Sequence, residues 1–360
     1  MPFPFRFVVI ASMLMGATTV HAMDSVAASD TAVPAPRHAK PVIAVLALNE
    51  GTETTDFLVP YAILHRANIA AVEAVAPRRG RVSLMPALTV ELQDDLASFD
   101  NRSPDGADYV IVPAMHADDD PVIVGWIRAQ AAKGAVIVAI CSGALVVGKA
   151  GLLDGRRFAG HWYDRNKLRE RHPGATHVPN RRYIADRGVV STTGVTASVP
   201  VSVAIVEAIA GPARAAAVAQ SLGLRTWGTT HDSAPFRIDA SRVLALVVNS
   251  VAFWRRETIA IPVSDGVDDI QLALTADAWS RTYRSQALAE ASRAVKMRSG
   301  LTLVPTSPLA GNGTYRVSLP ADRLPVMQLH ETLADIGRRY GVATRELVKL
   351  ELEYGTQDGF

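Results

Sequence analysis

The stretch AVIVAICSGALVVGKAGLL, residues 135–153, runs a continuous apolar segment into the chain's only cysteine and then into small and aliphatic residues. An apolar run without alternation reads as a strand buried on both faces, and the small-residue segment after it, to Asp154-Gly155, reads as a helix. Cys141 thus stands at a strand-to-helix turn. Ala139-Ile140-Cys141-Ser142-Gly143 has the small, any, nucleophile, any, glycine spacing of a nucleophile elbow. Such a turn strains the backbone under the side chain, and the helix behind it aims free N–H groups at the sulfur, which favours thiolate. The competing reading is a buried cysteine packing as a small hydrophobe.

Outward from this block, PVIAVLAL (residues 41–48) and DYVIVP (108–113) are further uninterrupted apolar runs. Helical patterns lie between them at 56–67 and 121–133, and strands buried on both faces with helices between them predict a parallel sheet. YIADRGVVST (183–192) predicts a hairpin around Arg187-Gly188, with helices at about 196–209 and 212–222. The expected fold is α/β, a doubly wound, flavodoxin-like, mostly parallel sheet over about 41–256. A smaller C-terminal α/β region follows at 257–360. There, IAIPV, Asp265-Gly266, a helical run and GLTLVP repeat the order of the first strand, Glu50-Gly51, helix and VSLMP (82–86). This reads either as a faded partial copy or as an ordinary strand-turn-helix-strand unit.

With 49% hydrophobic and 20% charged residues the chain is globular, and a formal charge of +2 over 360 residues offers no footprint for nucleic acid or an anionic membrane. Arg6, the apolar run from Phe7 and the small-residue site ending at Ala22 predict a cleavable signal peptide at 1–22, a linker at 23–40 and a periplasmic or secreted protein. A lone cysteine forms no internal disulfide, so in an oxidising compartment it is either inert by burial or kept for its reactivity.

The block 139–161 (AICSGALVVGKAGLLDGRRFAGH) with Trp162, residues 51–67 (GTETTDFLVPYAILHRA), 191–197 (STTGVTA) and 230–237 (THDSAPFR) carry a family likeness. They resemble the PfpI-type intracellular proteases and isocyanide hydratases of the class I glutamine amidotransferase-like superfamily, including the amidase-like domains of AraC-type regulators. The resemblance implies Cys141 as nucleophile and Asp56 as its acid, in protonated form, with Glu53 as runner-up; simpler readings are an N-cap for Asp56 and a solvated turn for Glu53. It further implies oxyanion donors from the N–H of Ser142 and from the loop at Ala114 and Met115, where the family usually has a glycine pair. His161, Gly143, Thr193 and Gly194 fall near the cleft. Protease-like members have a histidine directly after the cysteine; Ser142 stands there, as in the hydratase-like members, so peptide hydrolysis is disfavoured. The resemblance also implies a small-molecule substrate or ligand and a homodimer, with no cofactor.

His116 with Asp118, Asp119 and Asp120 reads as loop and helix-start charge rather than a metal site. Residues 333–350 look like helix, glycine, helix, but one such unit among acidic residues reads as amphipathic packing, not DNA binding. Two functions remain: a thiol-dependent enzyme for a small electrophile, or a non-catalytic ligand or redox sensor using the same pocket.

Overall fold

The computed structural model describes residues 32–251, 254, 256–306 and 313–355. The expected signal peptide therefore lies outside the described residues, as does the first half of the linker, residues 23–31. The elements that position the thiol are β1 (Val42–Leu46), α1 (Thr54–Ala67), β2 (Ala71–Val75), β3 (Tyr109–Val112), α2 (Pro121–Ala132), β4 (Val136–Ala139), α3 (Gly143–Lys149), β5 (Tyr183–Asp186), β6 (Val189–Thr192) and α4 (Ser198–Leu222). They build a six-stranded sheet in the order β5-β6-β4-β3-β1-β2, parallel except for the β5-β6 hairpin. Burial explains the apolar runs: every residue of β3 and β4 is buried. Along β1, Ile43 and Val45 join the core under α1 and α4, while Ala44 and Leu46 join the core under α2 and α3. This is a doubly wound α/β fold whose strand order reverses between β1 and β3. Ligands in such sheets bind beyond the carboxyl ends of the strands at that switch point.

The hairpin turns at Arg187 and Gly188, both at positive φ (48° and 81°). The two helices expected at 196–209 and 212–222 are both present within α4, separated by the non-helical backbone of Gly211 (φ 81°, ψ 171°). Although α4 is apolar enough to cross a membrane by composition, its apolar window is 67% buried against the fold. The strand expected at 82–86 forms at Gly80–Met85, but it pairs antiparallel with Thr89–Leu92 outside the main sheet. The helix after Cys141 stops at Lys149, short of the expected Leu153.

C-terminal to these lie β7 (Glu257–Pro262), α5 (Asp269–Ser280), β8 (Ser285–Glu290), β9 (Tyr315–Arg316), α6 (Pro325–Tyr340) and α7 (Val342–Glu351). Strand β7 is parallel to both β8 and β9. Strands Val295–Lys296 and Thr302–Leu303 add to the first hairpin, Thr302 opposite Glu91 and Leu303 opposite Val90, so one mixed sheet crosses both regions. Helix α5 packs on α1, and one hydrophobic core runs through both. Helices α6 and α7 bury Leu329, Leu333, Ile336, Leu347 and Val348, which is the amphipathic packing read from the sequence.

Candidate active site

Backbone strain marks the turn after β4: Cys141 has φ 55°, a left-handed conformation that costs a non-glycine residue free energy unless its surroundings enforce it. Two contacts enforce it. The Cys141 N–H donates to Thr192 Oγ1 at the end of β6 (3.0 Å). Gly143 lies so close to the end of β3 that a Cβ there would sit 2.1 Å from the Val112 carbonyl oxygen. Any side chain would push α3 off the sheet, so the glycine of the elbow spacing is a packing requirement. The Ser142 N–H meets no hydrogen-bond acceptor among the described residues, which leaves it available to an incoming anion. Ser142 Oγ lies 3.8 Å from the sulfur and donates a short hydrogen bond to Asp164.

The first turn of α1 brings two carboxyls to the same place. Glu53, not Asp56, is the N-cap: its Oε2 accepts from the Asp56 N–H at 2.6 Å, and its side chain is buried rather than solvated as a turn residue. Asp56 is fully buried; Oδ2 accepts from the Ala114 N–H (3.2 Å) and Oδ1 has no partner among the described residues. Burial, opposed by the Ala114 hydrogen bond and the Arg281 charge, raises Asp56 from the ordinary aspartate range to about 7, so it is largely protonated below neutrality. Burial likewise drives Glu53 well above its usual value, assisted by the nearby negative charges of Asp277 and Asp56.

The thiol departs from expectation. Strain and the helix start were to favour thiolate, but Cys141 is only 4% exposed, and burial followed by the charges of Asp56 and Glu53 pushes the thiol well above its ordinary value. Desolvation outweighs the short helix behind the elbow. Cys141 lines none of the described cavities; the largest, about 800 Å3, is lined by Arg169, Glu170, Thr176 and His177 instead.

The loop after β3, expected to supply a second oxyanion donor, has its polar groups engaged at Ala114. Ala114 gives its N–H to Asp56 and its carbonyl to the Glu53 N–H (2.8 Å), while Met115 is buried in the core under α2. Thr193 follows the Thr192 that holds Cys141, and Gly194 packs against Glu353, whose Cβ is 2.5 Å from where a glycine Cβ would be built. His161 is buried beside Gly194, and neither ring nitrogen has a hydrogen-bond partner among the described residues. The structure therefore gathers Cys141, Ser142, Gly143, Asp56 and Ala114, and sets His161 and Gly194 against the C-terminal segment.

Sequence reasoning missed Asp164, Thr192, Asp277, Arg281 and Glu353. Arg281 binds Glu53 Oε1 (2.7 Å) and Asp277 Oδ1 (2.6 Å), and Thr55 Oγ1 donates to Asp277 Oδ2 (3.0 Å). Glu353 approaches His231 Nε2 (3.4 Å) in the interior. Only Thr192 was within reach, one position before residues already singled out. Asp120 caps α2 and Asp118 pairs with Arg171, which accounts for two of the three acids at 118–120.

Against known proteins, residues 42–208 match the model of the DJ-1/PfpI family. The isonitrile hydratase of Pseudomonas putida is 43% identical over 44 residues, 12% of this chain and 19% of that protein, so the chain aligns with less than a fifth of that relative's length. Similar solved structures include DJ-1beta of Drosophila melanogaster, 20% identical over 51% of this chain and 97% of that one, with a TM-score of 0.46. An AraC family transcriptional regulator from Pseudomonas putida is 21% identical over 50% and 98%, with a TM-score of 0.45. A ThiJ/PfpI family protein from Pseudomonas syringae is 23% identical over 50% and 74%, also at 0.45.

Proposed function

We propose, from the premise that residues 42–208 are a DJ-1/PfpI family domain, that this chain is a thiol-dependent enzyme that adds water to a small electrophile such as an isonitrile. The observation that carries the reading is a cysteine at φ 55° beside a buried aspartate raised to about 7. An acid poised near neutrality both gives and takes a proton at working pH. Asp56 delivers its proton to the isonitrile carbon, Sγ bonds to that carbon, and the thiol proton returns to Asp56, giving a thioimidate. Water then adds to this carbon, and the C–S bond breaks to release an N-substituted formamide and the restored thiol. No free thiolate accumulates, so a thiol held neutral by burial suits this route. The free Ser142 N–H is placed to stabilise negative charge on the adduct.

A second reading, a non-catalytic sensor, is favoured by one observation: the Ala114 N–H is spent on Asp56, leaving one oxyanion donor instead of two. In that case a ligand binds at the elbow without turnover, or two equivalents of peroxide take the thiol to sulfinate and release two waters. Incubation with a panel of aliphatic isonitriles separates the readings. Formamide released catalytically, and lost in Cys141→Ala, supports the enzyme; stoichiometric binding without product supports the sensor. Export rests on residues 1–22 alone, and the N-terminal sequence of the mature protein beginning at Met23 would support it.

A further inference from the structure

Helices α1 and α5 lie against each other, and their ends are tied reciprocally. Glu53 caps α1 and accepts from the Asp56 N–H; Asp268 caps α5 and accepts from the Gln271 N–H, the same three-residue span. Arg66 and Arg281 each stand thirteen positions after their cap. Arg66 crosses to Asp268 (2.7 Å), and Arg281 crosses back to Glu53 (2.7 Å). Residue i meeting j while j meets i is the mark of an isologous, two-fold contact, here within one chain.

The remaining elements correspond in order and in pairing. The β1-α1-β2 unit corresponds to β7-α5-β8, each with its two strands parallel. Each is followed by an antiparallel pair, and the two pairs abut through Thr89–Leu92 and Thr302–Leu303 at the centre of the shared sheet. Strand β3 flanks β1 as β9 flanks β7. Helix α4 packs on α1 and bends at Gly211 (φ 81°, ψ 171°); α6 packs on α5 and gives way to α7 at Gly341 (φ 89°, ψ 163°). The second unit passes from β9 to α6 without any counterpart of β4 or its elbow. Gln271 occupies the place of Asp56, its amide donating to the carbonyls of Pro320 and Arg323 in the loop after β9, as Asp56 bonds the loop after β3.

We propose that residues 257–351 are a shortened second copy of the unit at 42–222, docked on it about an internal pseudo-two-fold axis, and that Arg281 is the positioning residue through which the copy completes the thiol site. This rests on the reading of Cys141 and Asp56 given above. The charged groups facing the site are Glu53 and Asp56 from α1, Asp164 beside Ser142, Asp277 and Arg281 from α5 and its end, and Glu351 from α7 (3.6 Å from Arg281). Arg281 is the one cation among these described groups. It fixes Glu53, which in turn holds the Asp56 backbone, and it opposes the carboxylates that disfavour ionisation of the thiol. Arg66, its mate across the axis, serves the catalytically empty end.

That mate supplies the control. In the full-length chain labelled with 13C at cysteine Cβ, one resonance reports the ionisation of the sole thiol. Arg281→Gln is expected to move the titration midpoint to higher pH, and Arg281→Lys to move it the same way by less, because an ammonium loses the two-pronged grip on Glu53 and Asp277. Arg66→Gln, which breaks the equivalent pair, is expected to leave it in place. A midpoint unmoved in both Arg281 variants, or moved equally by Arg66→Gln, would overturn the proposal; should Arg281→Gln not fold, Arg281→Lys decides it. The titration needs no substrate, so its failure is separate from a failure to find turnover.

Discussion

The two ends of the α1-α5 pair use the same parts for different ends. At one, Arg66 joins Asp268 and Asp269 at the lip of a surface cavity, an arrangement that caps a helix and ties two units together. At the other, Arg281 joins Glu53 and Asp277 in the interior, behind an aspartate with an unpaired oxygen and a strained cysteine. The difference is what surrounds each arginine. Only the first unit inserts β4, its elbow and β6, and only there does the third helical position carry an acid instead of an amide. Symmetric scaffolding thus separates the cost of holding the units together from the cost of holding the chemistry.

Replacing Asp56 with the residue of the other unit should break the comparison most strongly. Asp56→Gln is expected to lower kcat for hydration by about 10^2- to 10^4-fold, the usual share of a general acid, with the fold retained by circular dichroism. Activity within a factor of about two would remove Asp56 from the mechanism. Next, Arg281→Gln should cost about 3 kcal/mol in urea denaturation because it strands two buried carboxylates, Glu53 and Asp277, against about 1 kcal/mol for Arg66→Gln, whose one fully buried partner, Asp269, keeps its hydrogen bonds from Ser299. Equal losses would mean that the two ends are energetically alike. Gly143→Ala should cost about 2 kcal/mol by overpacking against Val112, whereas Gly125→Ala, where a Cβ meets nothing within 4 Å, should be neutral or slightly stabilising.

The smallest effect is in pH. Asp56 is raised from 3.8 to about 7, so the folded state keeps a proton that the unfolded chain has released. Its contribution therefore falls as pH rises from about 4 to 7 and stays low above that. Asp56→Asn should flatten stability over that window and gain relative to wild type at pH 8, read by denaturation at pH 4, 6 and 8. Above that window, wild-type kcat should decline by roughly fivefold from pH 7 to pH 8 as the protonated acid is lost.

Much of this was legible from residues because the signals were local. The all-apolar runs at 42–46, 109–112 and 136–139 required burial on both faces, Arg187-Gly188 required a tight turn, and the elbow spacing placed Cys141 where β4 ends. What escaped was non-local. The partners of Asp56 include Ala114, fifty-eight residues away, and those of Glu53 include Arg281, two hundred and twenty-eight away; no periodicity encodes such pairings. The thiol's ionisation was misjudged for the same reason: the local turn favours thiolate, whereas carboxyls and apolar residues contributed by distant elements reverse the balance. VSLMP was read as a strand correctly, but its partner, Thr89–Leu92, and not its own pattern, decided which sheet it joined.

The account stands most directly on the sulfur of Cys141 forming a bond to substrate carbon. Intact-protein mass spectrometry after acid quench during isonitrile turnover should show an increment equal to one isonitrile, mapped by peptide analysis to Cys141, and absent together with product in Cys141→Ala. Formamide production undiminished in Cys141→Ala would contradict the account.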